Sequence, residues 1–398
     1  MTRGRVLLAV NDFPPILGGE ARLYHALARH LPPDEIVVWA PRVRGSAAVD
    51  AALPCGVRRG RIPAHGGTAS RLARSLLGGA HLAALAAHER PRYLVCGQIL
   101  SLGGPTRLLA AALGVPYAVF VHGADIADYR ESLFLRPFMG RILSGADTVI
   151  ANSRFTASLV QEIFPRRARR VVVLPMGVDA AEPAPDAAVE ALRRRYGVGT
   201  GPVLLTVARL APVKGHEMVI AALPLLLPRH PGLRYLVVGD GPERRRLEDA
   251  AHRLGVAPAV RFAGSVPDDE RAAHFALATL FAMPSRSVAR YDGLEGFGLV
   301  FLEAASHGLA AIGGASGGVP EAIRHGETGL LVPPGDPVAF AAAASGLLED
   351  EALRRRLGET GRRWAAEHPW SRSAAALRAV WRGSDVVDAA DDSRRRAA

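Results

Sequence analysis

Short runs of apolar, β-branched-rich residues recur along this chain at 6–10, 36–40, 93–96, 117–121, 148–151 and 171–174. They continue at 203–207, 235–238, 260–264, 280–283 and 329–332. The runs do not alternate apolar with polar, so each predicts a strand buried on both faces, as in a parallel sheet. Longer stretches with helical spacing separate them, as with Leu23, Leu27 and Leu31 after the first run. Strand and helix in alternation predict an α/β chain of doubly wound sheets. A ligand of such a sheet lies beyond the carboxyl ends of its strands, so the polar residues following each run are where chemistry is expected.

At 398 residues the chain has room for two domains. A composition break at Pro183 and Pro185, followed by a helical pattern from about 186 to 196, puts the linker at 180–187. The expected division is an N-terminal domain over 1–180, a second over 187–369, a last helix over 370–384 and a tail over 385–398. Mixed charge and few apolar residues predict that the tail is disordered. No apolar run reaches the roughly 18–20 residues that span a bilayer. The basic start precedes only the run 6–10, which reads as a first strand rather than a signal peptide. Two cysteines without metal-type spacing imply neither a zinc site nor a disulfide framework. The expected location is the cytoplasm. A net charge of +11 favours anionic partners, whether nucleotides or an anionic membrane surface. Nucleic acid is not expected, because basic clusters such as 166–170 lack interleaved aromatic platforms.

The stretch 291–323, YDGLEGFGLVFLEAASHGLAAIGGASGGVPEAI, carries the densest chemistry. Glu295 and Glu303 stand with seven residues between them and a glycine-flanked turn, Gly296-Phe297-Gly298, after the first. The apolar run 299–305 predicts a helix starting near Phe297, whose free amides and dipole favour an anion. Two carboxylates that seek hydroxyls around a helix end that seeks phosphate describe a nucleotide sugar, or else a buried helix with solvated carboxylates. Gly313, Gly314, Gly317 and Gly318 then read as a flexible turn opening another helix. Elsewhere, Gly18 and Gly19 after the first strand suit either a phosphate-approaching loop or a plain turn. His122 suits a sugar or phosphate hydrogen bond, or a strand cap. Arg209 and Lys214, five apart in a loop opening a helix, suit a diphosphate. Gly239 begins GDGP, which lacks the full dinucleotide fingerprint. The turn at 265–268, with Ser265 and Val266, suits a base edge.

Taken in order, ARLAPVKG at 208–215, GDGP at 239–242, the Glu295 to Glu303 spacing and SGGVPE at 316–321 resemble the retaining glycosyltransferases of family 4. The resemblance runs over most of the chain. FPPILGGEARLYHALARHL near the start, FAMPSRSVARYDGLEGFGLVFLEA and the extra residues between Pro284 and Glu295 look most like the phosphatidylinositol mannosyltransferase branch. It implies the GT-B fold: two Rossmann-like domains facing across a cleft, with the C-terminal helix crossing back to the N-terminal domain. It implies transfer of a hexose, mannose from GDP-mannose, to a lipid or other hydroxyl acceptor at the inner membrane face, with no cofactor or metal. It further implies that Arg209 and Lys214 hold the diphosphate, Glu303 the ribose, and Glu295 the transferred sugar. The amides of Phe297, Gly298, Leu299 and Val300 would lie near the phosphates and sugar, Gly19 near the β-phosphate and His122 by the reacting sugar. After His122 the segment VHGADIADY departs from the branch's HGHE and leaves the acceptor open. Other readings of the sequence are a UDP-sugar transferase with a soluble or polysaccharide acceptor, a nucleotide-sugar epimerase or hydrolase, and a non-catalytic nucleotide-binding adaptor.

Overall fold

The computed structural model describes residues 4–62, 68–288 and 293–384. They form two compact units: the described residues up to Gly177 together with those from Trp370 onward, and Val178–Pro369. The tail 385–398 expected to be disordered lies outside the described residues, as do 289–292 within the stretch between Pro284 and Glu295.

The first unit is built on seven parallel strands: β1 Val6–Ala9, β2 Ile36–Pro41, β3 Gly56–Gly60, β4 Tyr93–Cys96, β5 Tyr117–Val121, β6 Thr148–Ala151 and β7 Val171–Val173. Their order across the sheet is β3-β2-β1-β4-β5-β6-β7. Inside the sheet, strand β1 pairs Val6 with Ile36 on one side and with Tyr93 on the other. All four of its residues are buried, which is why it reads as a continuous apolar run. Strand β3, GVRRG, carries no apolar run and sits at the sheet edge, so hydrophobic patterning misses it. Its Arg59 reaches Asp50 at 2.7 Å and the carbonyl of Pro14 at 2.8 Å, which pairs the charge of a side chain that is itself buried. On one face Leu7, Val37, Leu94, Val119 and Val149 pack with Ile99, Leu102, Ile142 and Leu143 from the helices Ile99–Leu113 and Leu135–Gly145.

The helix Trp370–Arg382 belongs to this unit and packs on the helix Gly19–His30. Its apolar side buries Ala374, Leu377, Val380 and Trp381, and Ser373 donates to the Pro175 carbonyl at 2.6 Å. At its far end Arg378 Nε donates to Glu35 Oε2 at 2.9 Å and Arg382 Nη2 to Glu35 Oε1 at 2.7 Å.

The second unit holds six parallel strands, β8 Val203–Val207, β9 Arg234–Val238, β10 Val260–Gly264, β11 Leu280–Met283, β12 Ala311–Gly314 and β13 Gly329–Val332, in the order β10-β9-β8-β11-β12-β13. Strand β12 corrects the expected turn: Gly313 and Gly314 lie in a buried strand paired to β11 and β13. Glycine stands at 313 because a Cβ there would meet Ile323 and Val319 at 2.7 and 2.9 Å. The requirement is close packing rather than flexibility. The core of this unit gathers Leu204, Val219, Leu223, Tyr235, Leu280, Ile312 and Phe340.

The two arginines hold the Glu35 carboxyl down at about 2. Its contribution to stability is therefore complete above the unfolded carboxylate pKa near 4.3 and is lost as pH falls toward 2. Glu35→Gln is expected to cost about 1–2 kcal/mol at neutral pH, the arginines being partly in solvent. In thermal melts the gap between wild type and variant should close between roughly pH 4 and pH 2. A gap independent of pH would show that the pair does not fasten the last helix.

Candidate functional site

Most of the residues singled out by sequence lie in the second unit, in loops that follow its strands. The loop after β8 is closed from beneath by buried polar groups. Thr206 on β8 meets the Tyr235 hydroxyl of β9 at 2.9 Å, and that hydroxyl meets His216 Nδ1 at 3.1 Å. His216 Nε2 lies 3.3 Å from the Arg209 carbonyl, so this nitrogen carries the proton and donates it. Burial pushes His216 down to about 4, which keeps the ring neutral near pH 7. The backbone is also fastened to the loop after β9: Ala208 N donates to Val238 O at 2.9 Å and Leu210 N to Asp240 O at 3.0 Å. Gly239 makes this possible, since a Cβ there would stand 2.0 Å from the Ala208 carbonyl oxygen. Its demonstrable role is to let two loops lie backbone to backbone.

Lys214 ends the short 3-10 turn Pro212–Lys214 and points its Nζ at Glu295 Oε2, 2.5 Å away. Both side chains are largely withdrawn from solvent, 23% and 12% exposed, where such a pair is felt more strongly than at an open surface. Glu295 is itself seated on the loop after β12. Gly318 N donates to Glu295 O at 2.9 Å, and Cβ atoms at Gly317 and Gly318 would come within 2.2 Å of Glu295 O and 2.0 Å of Gly296 O. The SGG of 316–318 is thus a backbone platform for the first carboxylate.

Four residues after Glu295 the helix Leu299–Ser306 begins, two positions later than the expected start. Gly298 caps it in the left-handed conformation at φ 88°, with no side-chain cap. The first-turn amides of Leu299 and Val300 lie before any i−4 carbonyl of the helix, and the positive end of the dipole opens beside the Lys214–Glu295 pair. Glu303, a turn further on, pairs with Arg271 from the helix Asp268–Leu277. Arg271 escaped the sequence reading because nothing in DDERAAHFAL marks one arginine as the partner of a glutamate 32 residues away. Ser265 is exposed and Val266 buried at the turn between β10 and that helix. Arg209 is exposed beyond the β8 loop.

In the first unit, Gly18 and Gly19 are exposed where the helix Gly19–His30 starts. His122 follows β5 and is held closely: its Nε2 lies 2.7 Å from the Tyr24 hydroxyl, which donates to Gly97 O at 2.7 Å. The imidazole N–H therefore donates to the tyrosine oxygen, and the ring stacks on Phe120. Asp125 accepts from the amides of His122 and Gly123, both at 2.9 Å, and burial pushes its carboxyl above the usual range. Glu20 Oε2 stands 3.7 Å from His122 Nε2 and accepts from Gln98 at 2.8 Å. Tyr24, Glu20 and Gln98 were not anticipated. Tyr24 falls on the apolar face of its helix and reads as core, while Gln98 is a single polar residue after β4. Ser153, also at a strand end, caps the helix Arg154–Ile163 by accepting from Thr156 N at 3.0 Å. Among the described residues no cluster of three His, Cys, Asp or Glu side chains could hold a metal ion.

The platform under Glu295 makes a test that separates packing from ligand contact. Gly318→Ala is expected to cost about 1–3 kcal/mol, because the Glu295 loop must move. Gly19→Ala, where a Cβ meets nothing within 4 Å, should melt as wild type does. Equal melting temperatures for Gly318→Ala and wild type would refute the platform.

Comparison with known proteins gives two family models, Glycosyltransferase Family 4 over residues 17–182 and Glycosyl transferases group 1 over residues 188–364. A GDP-mannose-dependent α-(1-6)-phosphatidylinositol monomannoside mannosyltransferase from Mycobacterium tuberculosis is 34% identical over 393 residues, covering 96% of this chain and 99% of the relative. The protein of that name from Mycolicibacterium smegmatis is 34% identical over 94% of this chain and 97% of its own length. Among solved structures, the Anabaena protein HepE in complex with UDP and glucose superposes with a TM-score of 0.80 at 22% identity, over 96% of this chain and all of that one, a likeness of fold. Two Rossmann-like units, the family models in matching order and a relative along nearly the whole length lead to one conclusion: the chain belongs to the family 4 glycosyltransferases and has their GT-B fold.

Proposed function

We propose that this glycosyltransferase moves mannose from GDP-mannose to a hydroxyl of a lipid acceptor, with retention of the anomeric configuration. The donor and acceptor class rest on the mycobacterial relatives, whose names state both and whose sequences run alongside nearly all of this chain. The observation that carries the reading is the Lys214–Glu295 pair at the open end of the Leu299–Ser306 helix. A cation, a carboxylate and helix-end amides side by side suit a ligand that joins a diphosphate to a hydroxyl-rich ring.

In this reading Lys214, Arg209 and the amides of Phe297, Gly298, Leu299 and Val300 receive the diphosphate. Glu295 accepts hydrogen bonds from the mannose hydroxyls. Glu303, held by Arg271, accepts from the ribose, and the turn with Ser265 and Val266 meets the base. Gly18 and Gly19 allow close approach to the β-phosphate, and the His122 ring, fixed by Tyr24, serves the reacting sugar. The bond between the anomeric carbon and the β-phosphate oxygen breaks, and negative charge gathers on the departing GDP. Lysine, arginine and amides stabilise that charge most where it is greatest, in the transition state. The anomeric carbon gains oxocarbenium character and the acceptor oxygen bonds to it on the face the phosphate leaves. The acceptor's proton passes to the departing phosphate oxygen, so no protein nucleophile takes part. Loss of one preorganised donor of this kind costs roughly a hundred- to a thousandfold in kcat.

The test is a donor screen by thermal melting followed by turnover. GDP-mannose at about 100 times its Kd should stabilise the protein by roughly 2.7 kcal/mol, and Lys214→Ala should abolish the shift. With a phosphatidylinositol mannoside as acceptor, the product should carry an α-mannosyl linkage by NMR. A melt that responds to UDP-sugars alone would reject the donor, an unchanged shift in Lys214→Ala would reject the diphosphate site, and a β-linkage would reject retention.

A further inference from the structure

His122 is held at every polar atom but one. Its amide donates to Asp125 Oδ1 at 2.9 Å and its carbonyl accepts from Asn152 Nδ2 at 3.3 Å, so the backbone after β5 is fixed from both sides. Three oxygens stand around Nε2: the Tyr24 hydroxyl at 2.7 Å, the Gly97 carbonyl at 3.2 Å and Glu20 Oε2 at 3.7 Å. The carbonyl and the carboxylate accept only, and the hydroxyl gives its own proton to Gly97 O at 2.7 Å. A lone pair on Nε2 would therefore face acceptors on every side. The proton of the neutral ring belongs on Nε2 and the lone pair on Nδ1. Among the described residues nothing hydrogen-bonds Nδ1. Tyr24 is the fixed point of the arrangement. It is fully buried, its ring meets Phe120 edge-on at 5.4 Å, and Gly97 leaves it room, since a Cβ there would stand 3.0 Å from the hydroxyl.

From this geometry we infer that Tyr24 is a positioning residue: its hydroxyl locks His122 as the Nε2–H tautomer and so leaves Nδ1 as the acceptor for a hydroxyl of the reacting sugar. The sugar's part rests on the transferase reading above, whereas the tautomer is a property of the protein alone. The Gly97 carbonyl is the longer of the two contacts and by itself leaves the ring freer to turn about its χ angles. The hydroxyl closes that freedom, and a reacting group misplaced by about 1 Å costs on the order of a hundredfold in rate. A hydroxyl also does this without adding charge. Burial, and after it Glu20, push the Tyr24 phenol well above its usual range, so it stays protonated and keeps both its donor and its acceptor role. Charge matters at this place because the anomeric carbon gains oxocarbenium character, which a neutral ring opposes less than an imidazolium does. A tyrosine placed here for packing alone would need no hydroxyl, and the test turns on that difference.

The ring can be read directly by NMR of the full chain labelled with 15N-histidine and free of substrate. Of the thirteen histidines, the one whose ring signals vanish in His122→Gln is His122. In wild type near pH 7 its Nε2 should carry the shift of a protonated nitrogen and its Nδ1 that of a bare one. In Tyr24→Phe the two shifts should move toward each other as tautomers mix, and the signal of the proton on Nε2 should be lost to exchange with water. Turnover of GDP-mannose with a phosphatidylinositol mannoside should then show kcat lowered about ten- to a hundredfold, with the donor KM changed by no more than about twofold, because the diphosphate and ribose contacts lie in the second unit. Tyr93→Phe is the control. It removes another buried hydroxyl, one that donates to Asp147 Oδ2 at 3.0 Å from the opposite end of β4, and should leave the His122 signals and kcat as in wild type. A wild-type ring protonated on Nδ1, or on both nitrogens, would overturn the inference. So would unchanged shifts in Tyr24→Phe, an unchanged kcat in that variant, or an equal loss of kcat in Tyr93→Phe. The ring signals are read without donor or acceptor, so failure of the tautomer and failure of the transferase reading are separate results.

Discussion

Backbone lying directly on backbone, with no side chain between, is the constraint on which the rest of the second unit depends. Gly318 accepts the Glu295 peptide against its own, and Gly239 does the same for Ala208. At such contacts any Cβ must displace a neighbouring loop. The loops that follow β8, β9, β11 and β12 are therefore fixed to one another rather than to solvent. Side chains placed on them inherit the rigidity of the sheet. Lys214 and Glu295 come from positions 81 residues apart and meet at 2.5 Å, Lys214 next to Gly215, where a Cβ would stand 2.1 Å from the Pro284 carbonyl oxygen, and Glu295 on the Gly317-Gly318 backbone.

Rigid placement matters because both carboxylates of the site are compensated. Glu295 has Lys214 and Glu303 has Arg271, each pair largely out of solvent. A lone carboxylate in such a place would be driven toward its protonated form and lose its value as a pure acceptor. Paired, each carboxylate stays an acceptor, and a carboxylate offers its two oxygens to more than one donor. This gives a physical reason for carboxylates to stand beside the cations proposed to hold a diphosphate. Beneath them His216 is kept neutral by burial, so it steadies the Arg209 carbonyl without adding another charge.

The sequence is most legible where a residue's neighbours along the chain decide its state. Eleven apolar runs mark eleven strands, because a strand buried on both faces has to be apolar throughout. The strands that escape are those whose composition answers to something else. β3 is an edge strand with two arginines, one spent on Asp50 and two carbonyls. β12 contains two glycines because Ile323, Val319 and the Ser285 carbonyl occupy the space where their Cβ atoms would be. In the site, Lys214 and Glu295 were nameable from spacing and resemblance, but their partnership was not. Arg271 and Tyr24 were invisible for the same reason: each earns its place through a contact 32 or 98 residues distant, with Glu303 and His122 respectively. Spacing along one element shows which face a residue occupies, and only tertiary structure shows what that face meets.

The two units divide the chemistry by charge. The second concentrates cations, paired carboxylates and a helix end, groups of the kind that suit an anion. The first holds its polar residues in neutral or shared hydrogen bonds. His122 leans on a tyrosine oxygen, Gln98 bridges toward Glu20, and Asp125 is satisfied by two amides and raised by burial. Groups of that kind discriminate among hydroxyls, since a misplaced hydroxyl leaves a buried donor or acceptor unpaired.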